Sequence, residues 1–207
     1  MSRNAIQITN SALIKLGASP ISTFTDGGNA TTMRSEFPAI RNLLLSEHVW
    51  HFASELVTPA ALNETVPGDW TYAFAIPPDC ARITAFDVSG EVHPYEIRSG
   101  KIYYDFSTPT LRYVKNFPAD ATEDAVLYPD SFAYALTCRL AAHVGVNITQ
   151  NTKLSGDLMQ EYMLAVGQAR FSGACERFDQ VTRAQEWLDS RHGSLGDVDI
   201  GARHTAP

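Results

Sequence analysis

Two imidazoles and a carboxylate crowd one short stretch, LLLSEHVWHFA, Leu43 to Ala53, in which Glu47 is followed by His48 and His51. Histidines three residues apart share a helix face, so this pair could offer a metal ion two nitrogen ligands. Metal-assisted hydrolysis on a zincin helix needs histidines at i and i+4 with the glutamate between them. Here Glu47 precedes His48 and His51 follows it by three, so the motif is not met. Glu47 and His51 do share a face, but further ligands would have to come from His93 or His143 across the fold. The plainer reading is a packed helix end, where a protonated histidine complements the C-terminal dipole.

Nucleophilic and phosphate chemistry have less to stand on. There is no G-x-S-x-G elbow, and Cys80, Cys138 and Cys175 are widely spread with no CxxC pair. Cys138 falls beside an apolar helical stripe and reads as a small buried hydrophobe. The DGGN run, Asp26 to Asn29, lacks the glycine spacing and lysine of a P-loop and reads as the turn leading into a helix. Asp120, Glu123 and Asp124 lie in a polar connection and read as a solvated loop.

Composition narrows the classes further. A chain of 207 residues, 44% hydrophobic and 19% charged, can bury a core and is not dominated by disorder. Its 16 basic and 23 acidic side chains give a net charge of -7, which disfavours a broad phosphate-gripping surface. An odd number of scattered cysteines fits a reducing compartment. The opening residues lack the apolar core of a secretory signal, and no run approaches the roughly 18 apolar residues of a membrane span, so a cytosolic site of synthesis and no membrane partner are expected.

The elements that must position these residues follow from periodicity. Ala5, Ile8, Ala12 and Leu16, widened by Ile6 and Leu13, mark a first helix that Gly17 stops, and residues 17–29 form a loop. Met33, Phe37, Ile40 and Leu44 mark a second helix running to about Trp50, with Arg34 and Arg41 on its more polar side and a kink expected at Pro38. From Ser54 to Val126 the period becomes two. WTYAFAI, ARITAFDV, HPYEIR, KIYYDF and TLRYVKNF read as strands, with a hairpin turn at Ser99 and Gly100.

Helical spacing returns after Asp130, a candidate N-cap, with Phe132, Leu136, Leu140, Val144 and Ile148 as the stripe. A last helix spans about Thr152 to Phe178, buries Leu154, Leu158, Tyr162, Ala165 and Ala169, and carries small residues, among them Gly167 and Ala174, that would permit close helix approach. The predicted class is therefore α+β: an antiparallel helical bundle of about four helices from residues 1–53 and 127–191, an inserted antiparallel β meander over 54–126, and an extended C-terminal arm over 192–207.

Five segments in this order carry a resemblance. ALIKLGASPIST, FPAIRNLLLSEHVWHFA, YAFAIPPDCARI and FAYALTCRLAAHVGVNIT, followed by EYMLAVGQAR with EWLDSR, resemble the head-to-tail adaptor (connector) family of tailed bacteriophages, most closely its tail tubular protein A type from short-tailed phages. The likeness covers about Asn4 to Arg191. It implies a non-enzymatic structural protein, assembled in the host cytoplasm and carried in the virion. There it would form a homo-oligomeric ring, usually of about twelve copies, under the portal protein, extending the channel for double-stranded DNA without specific binding and seating the tail nozzle protein.

Trp50 and Phe52 match the family's aromatic pair where the chain leaves the helices for the β region, whereas His48 and His51 match no functional motif. The resemblance also implies C-terminal docking on the portal, for which Trp187, Leu188, Arg191, Leu195, Val198 and Ile200 are the candidates. GSLGDVDIGARHTAP, at the end of the chain, has no counterpart in the family pattern. No cofactor is implied. The competing class is a small cytosolic enzyme or ligand-binding protein, metal-assisted through His48 and His51, with its pocket between helices and strands. A third, a nucleic-acid-binding regulator, would need Arg34, Arg41, Arg139, Arg170, Arg177 and Arg183 to form a basic face, yet acids are interspersed among them.

Overall fold

A computed structural model of the chain describes residues 2–66, 68–117 and 126–175. Strand β1 (Ser2–Arg3) leads into helix α1 (Ala5–Lys15), whose start is closed by a capping box. The Gln7 amide donates to Asn4 Oδ1 at 2.9 Å and the Asn4 amide to Gln7 Oε1 at 3.1 Å. Helix α2 (Asn29–Glu47) is entered through Gly28 at φ 60°, ψ -120°, a conformation open to glycine and strained for other residues. Ahead of it the Asp26 carboxylate accepts from the Thr23 hydroxyl and from the Thr23 and Ser22 amides, which holds that carboxyl below its usual range. The helix runs on through Pro38.

The β region comprises β2 (Ser54–Val57), β3 (Tyr72–Ala75), β4 (Cys80–Val88), β5 (Glu91–Val92), β6 (Glu96–Arg98), β7 (Lys101–Tyr104), β8 (Thr110–Lys115) and β9 (Tyr128–Pro129). All pairings are antiparallel, and the β6–β7 hairpin turns at Ser99 and Gly100, both with positive φ, as expected for a two-residue turn. Chain order is not followed beyond such local pairs. One sheet runs β2-β8-β4-β5 and another β3-β7-β6, while β1 pairs with β9. In place of a sequential meander, the strands of this region divide between two sheets that share a buried aromatic cluster. Phe74, Ile102 and Tyr104 from the smaller sheet meet Phe86, Leu111 and Tyr113 from the larger one in a separate core.

Helix α3 (Asp130–Thr149) begins one residue after its N-cap, Pro129, so Asp130 sits in the first turn and pairs with Arg3 at 3.3 Å. Against α3 pack α1, α2 and α4 (Thr152–Cys175), and their apolar faces make the main core with Trp50, Val114 and Tyr128. Strand β8 joins the two cores, since Leu111 and Tyr113 enter one and Val114 the other. At Gly145 of α3 the neighbours come close, and a Cβ there would meet the Leu16 side chain at 3.3 Å and Ser155 at 3.7 Å. Of the small residues on α4, Ala165 and Ala169 are buried, whereas Gly167 and Ala174 face outward. No described helix is long and apolar enough to cross a membrane.

Candidate functional site

The stretch that raised the question of metal chemistry is a corner between helices and strands. Helix α2 stops at Glu47, three residues short of the sequence reading, because His48 turns to extended backbone at φ -146°, ψ 161°. Trp50 then drops into the core at 3% exposure, and a single 3-10 turn (His51–Ala53) delivers the chain to β2. The indole Nε1 donates to the Leu44 carbonyl at 2.8 Å, so Trp50 closes one of the carbonyls the helix end leaves unpaired. Its ring meets Phe132 edge-on at 4.9 Å, and Phe52 meets the same phenylalanine at 4.8 Å. Tyr128 stacks on Phe132 and takes Phe117 edge-on, tying the segment after β8 to β9 and α3 in one aromatic cluster.

Arg41 belongs to this corner too, although its spacing suggested the polar side of α2. It is 4% exposed, donates through Nη2 to the Phe117 carbonyl, and lies over the rings of Phe37 and Phe117. A buried guanidinium needs such partners, because its desolvation is costly without them. An arginine read by its charge onto the polar side of a helix carries no pattern in the sequence that marks it as buried.

The helix end is completed by a cation, but it is not a histidine. Arg82, from β4, donates through Nη1 to the carbonyls of Ser46 and Glu47 at 3.5 and 3.2 Å. Burial, reinforced by Arg170, Arg82 and His51, pushes His48 below the ordinary imidazole range, so the ring is neutral and packs edge-on against Trp50 at 5.1 Å. The expected imidazolium cap is thus replaced by a guanidinium, which keeps its charge whatever its surroundings. Glu47 accepts from the Tyr162 hydroxyl at 2.8 Å and lies 3.6 Å from Arg170, which ties the same end to α4. Desolvation first, then Glu47, raise the Tyr162 phenol to about 12.

A pH dependence follows. Since the folded-state pKa of His48 lies below its unfolded value of 6.5, protonation favours unfolding. This contribution to stability is present above about pH 6.5 and is lost as pH falls through the folded pKa. Thermal melts between about pH 8 and about pH 5 should show wild type losing more stability on acidification than His48→Asn. Equal losses would mean that His48 binds its proton equally well in the folded and the unfolded chain.

The remaining polar candidates do not converge. His93 stacks on Phe106 at 4.4 Å, while His143 lies 3.0 Å from Glu36. Among the described residues no three or more His, Cys, Asp or Glu side chains gather into a group able to hold a metal ion. Cys138 is buried, and its thiol is pushed up to about 11, chiefly by desolvation. Beside it, Lys15 bridges to Glu161 at 2.6 Å and Tyr134 donates to the same carboxylate, linking α1, α3 and α4. Among the described residues three of the arginines are engaged separately: Arg41 is buried, Arg139 lies over Tyr162 and Arg170 faces Glu47.

What the surface does offer is apolar. On α4, Leu164 and Phe171 stand 73% and 74% exposed, with Met163 at 58%. These three point away from the buried face of Leu158, Tyr162, Ala165 and Ala169. An apolar stripe on the solvent side of a helix is a feature of contact surfaces. The sequence reading assigned only the inner stripe of this helix. The outer one was legible as a second set of apolar residues at helical spacing, where a lone globular helix has polar ones. Trp187, Leu188, Arg191, Leu195, Val198 and Ile200, the carboxylates Asp120, Glu123 and Asp124, and Arg177 and Arg183 lie outside the described residues.

No protein-family model matches the chain, and no curated protein matches it in sequence.

Proposed function

We propose that this chain is a structural head-to-tail adaptor of a tailed phage, a non-enzymatic subunit that assembles as a ring on the portal. The observation that carries the reading is the exposed apolar stripe of α4, a surface that a subunit needs for lateral contacts and that a free-standing catalyst does not. The ordered resemblance of five segments supports it independently. In this reading the four helices form the antiparallel bundle of the family, the strands between β2 and β8 its inserted β region, and residues 192–207 the arm toward the portal. The ring seats the tail nozzle and extends the DNA channel in the virion. A net charge of -7 suits a lumen that lets DNA slide, because each phosphate neutralised by a basic side chain would tighten the grip through counterion release.

Contacts around a ring are heterologous, so closure fixes the copy number and a template supplies the curvature that free subunits lack. The purified chain is therefore expected to run as a monomer or weak oligomer in light-scattering chromatography and to be converted to large complexes by the cognate portal. A compact dimer at micromolar concentration, unchanged by portal, would count against the adaptor.

A further inference from the structure

Positive charge gathers where α2 ends. Arg82 from β4 and Arg170 from α4 both reach Glu47, the first at its backbone carbonyl at 3.2 Å and the second at its carboxylate at 3.6 Å. His48 follows directly, and the charges that act on its ring, Arg170, Arg82 and His51, are all positive. Among the described residues, Glu47 supplies the only carboxylate within ion-pair distance of these groups, and it is shared with the Tyr162 hydroxyl. The pattern is unusual for this acidic chain. Arg3, Lys15, Lys101 and Lys115 each meet a carboxylate, whereas Arg82 meets only the carbonyls of Ser46 and Glu47.

Donors remain on both guanidinium groups. Arg82 is exposed and uses Nη1 on the two carbonyls, which leaves Nε and Nη2 for another acceptor. Arg170 turns Nη2 toward Glu47, and its buried Nε has no hydrogen-bond partner. Two arginine forks beside an imidazole form a donor set suited to oxyanions.

We infer that this corner binds a doubly charged tetrahedral oxyanion, of the phosphate or sulfate kind, held between Arg82 and Arg170 with His48 as a third donor. Shape selects the ligand. The donors come from β4, α4 and the turn after α2, and a planar carboxylate matches one fork, whereas a tetrahedral anion offers oxygens outside a single plane. Charge selects it as well: with His48 protonated, Arg82, Arg170 and His48 face the Glu47 carboxylate, and a dianion restores neutrality. Binding therefore draws onto His48 a proton that its cationic neighbours resist in the free protein, and affinity rises as pH falls. The groups around that ring are Glu47 from α2, Arg82 from β4, Arg170 and Tyr162 from α4, and His51 from the corner itself.

Sulfate, whose charge is constant where histidine titrates, is the probe. In NMR titrations of the full chain at constant ionic strength, sulfate is expected to shift the His48 ring resonances saturably and to move the midpoint of their pH titration upward. The His143 ring, which sits beside Glu36, should not follow. Arg82→Gln and Arg170→Gln should each weaken sulfate binding at least about tenfold, because each removes a charge-assisted fork. Arg82→Lys keeps the charge at the end of α2 and loses the fork, so it replaces Arg82→Gln should that variant melt below wild type, with the same weakening expected. The chain is expected to bind sulfate whether or not it assembles on a portal. The site is overturned by a shift that chloride reproduces at the same ionic strength, by sulfate binding that survives the substitution of both arginines in folded protein, or by a His48 midpoint that sulfate leaves in place.

Discussion

Trp50→Ala is expected to lower the free energy of unfolding by about 3–5 kcal/mol, the usual cost of deleting a fully packed aromatic side chain. The substitution empties a site bordered by Phe132, Phe52 and the neutral His48 ring, and it leaves the Leu44 carbonyl without its indole donor. Trp50→Phe separates the two effects. It keeps an aromatic ring and loses the hydrogen bond, so it should cost less than the alanine variant while still exceeding the roughly 1 kcal/mol of one lost bond. The double substitution His48→Ala, His51→Ala should cost much less than Trp50→Ala, because both histidines are only half-buried. Urea or guanidinium melts monitored by circular dichroism decide between these. A double histidine variant that unfolds, or one that loses a tightly bound metal when made, would return the corner to the metal reading.

Removing residues 192–207 is expected to abolish capture by portal while leaving the thermal melt almost unchanged. Leu195, Val198 and Ile200 are isolated among glycines and polar residues in the sequence, with no periodic partner. Too few apolar groups are present to offset by themselves the entropy of ordering that backbone. Binding is where such a segment gains its burial, and repetition around a ring turns a weak contact into avidity. Pull-down of the truncated chain on immobilised portal, beside a melting curve, reads both halves of the expectation. Wild-type occupancy by the truncated chain would place docking in the folded body and remove Leu195, Val198 and Ile200 as contacts.

The four helices were legible in the sequence because each buries a stripe at the 3.6-residue period, and the hairpin at Ser99 and Gly100 because only a few residue types tolerate its turn. Sheet order was not. A run such as TLRYVK reads as a strand whichever neighbour it takes, and its pairing with both β2 and β4 is set by how the two aromatic faces close on each other. The corner was half legible: Trp50 and Phe52 stood out by type, but the cation that meets the end of α2 is Arg82, 34 residues beyond His48 in the chain. Arg41 escaped for a related reason, since its burial rests on the Phe117 carbonyl and ring. On α4, both the inner and the outer stripe were written in the spacing, and only a folded neighbour could show which of them the protein covers itself.

Electron microscopy of the purified chain mixed with its portal tests the adaptor most directly. Side views are expected to show an added ring stacked on the portal and sharing its axis, with the central channel continued through it and no such ring when either component is imaged alone. Portals that stay bare at saturating concentrations of a correctly folded chain would contradict the assignment.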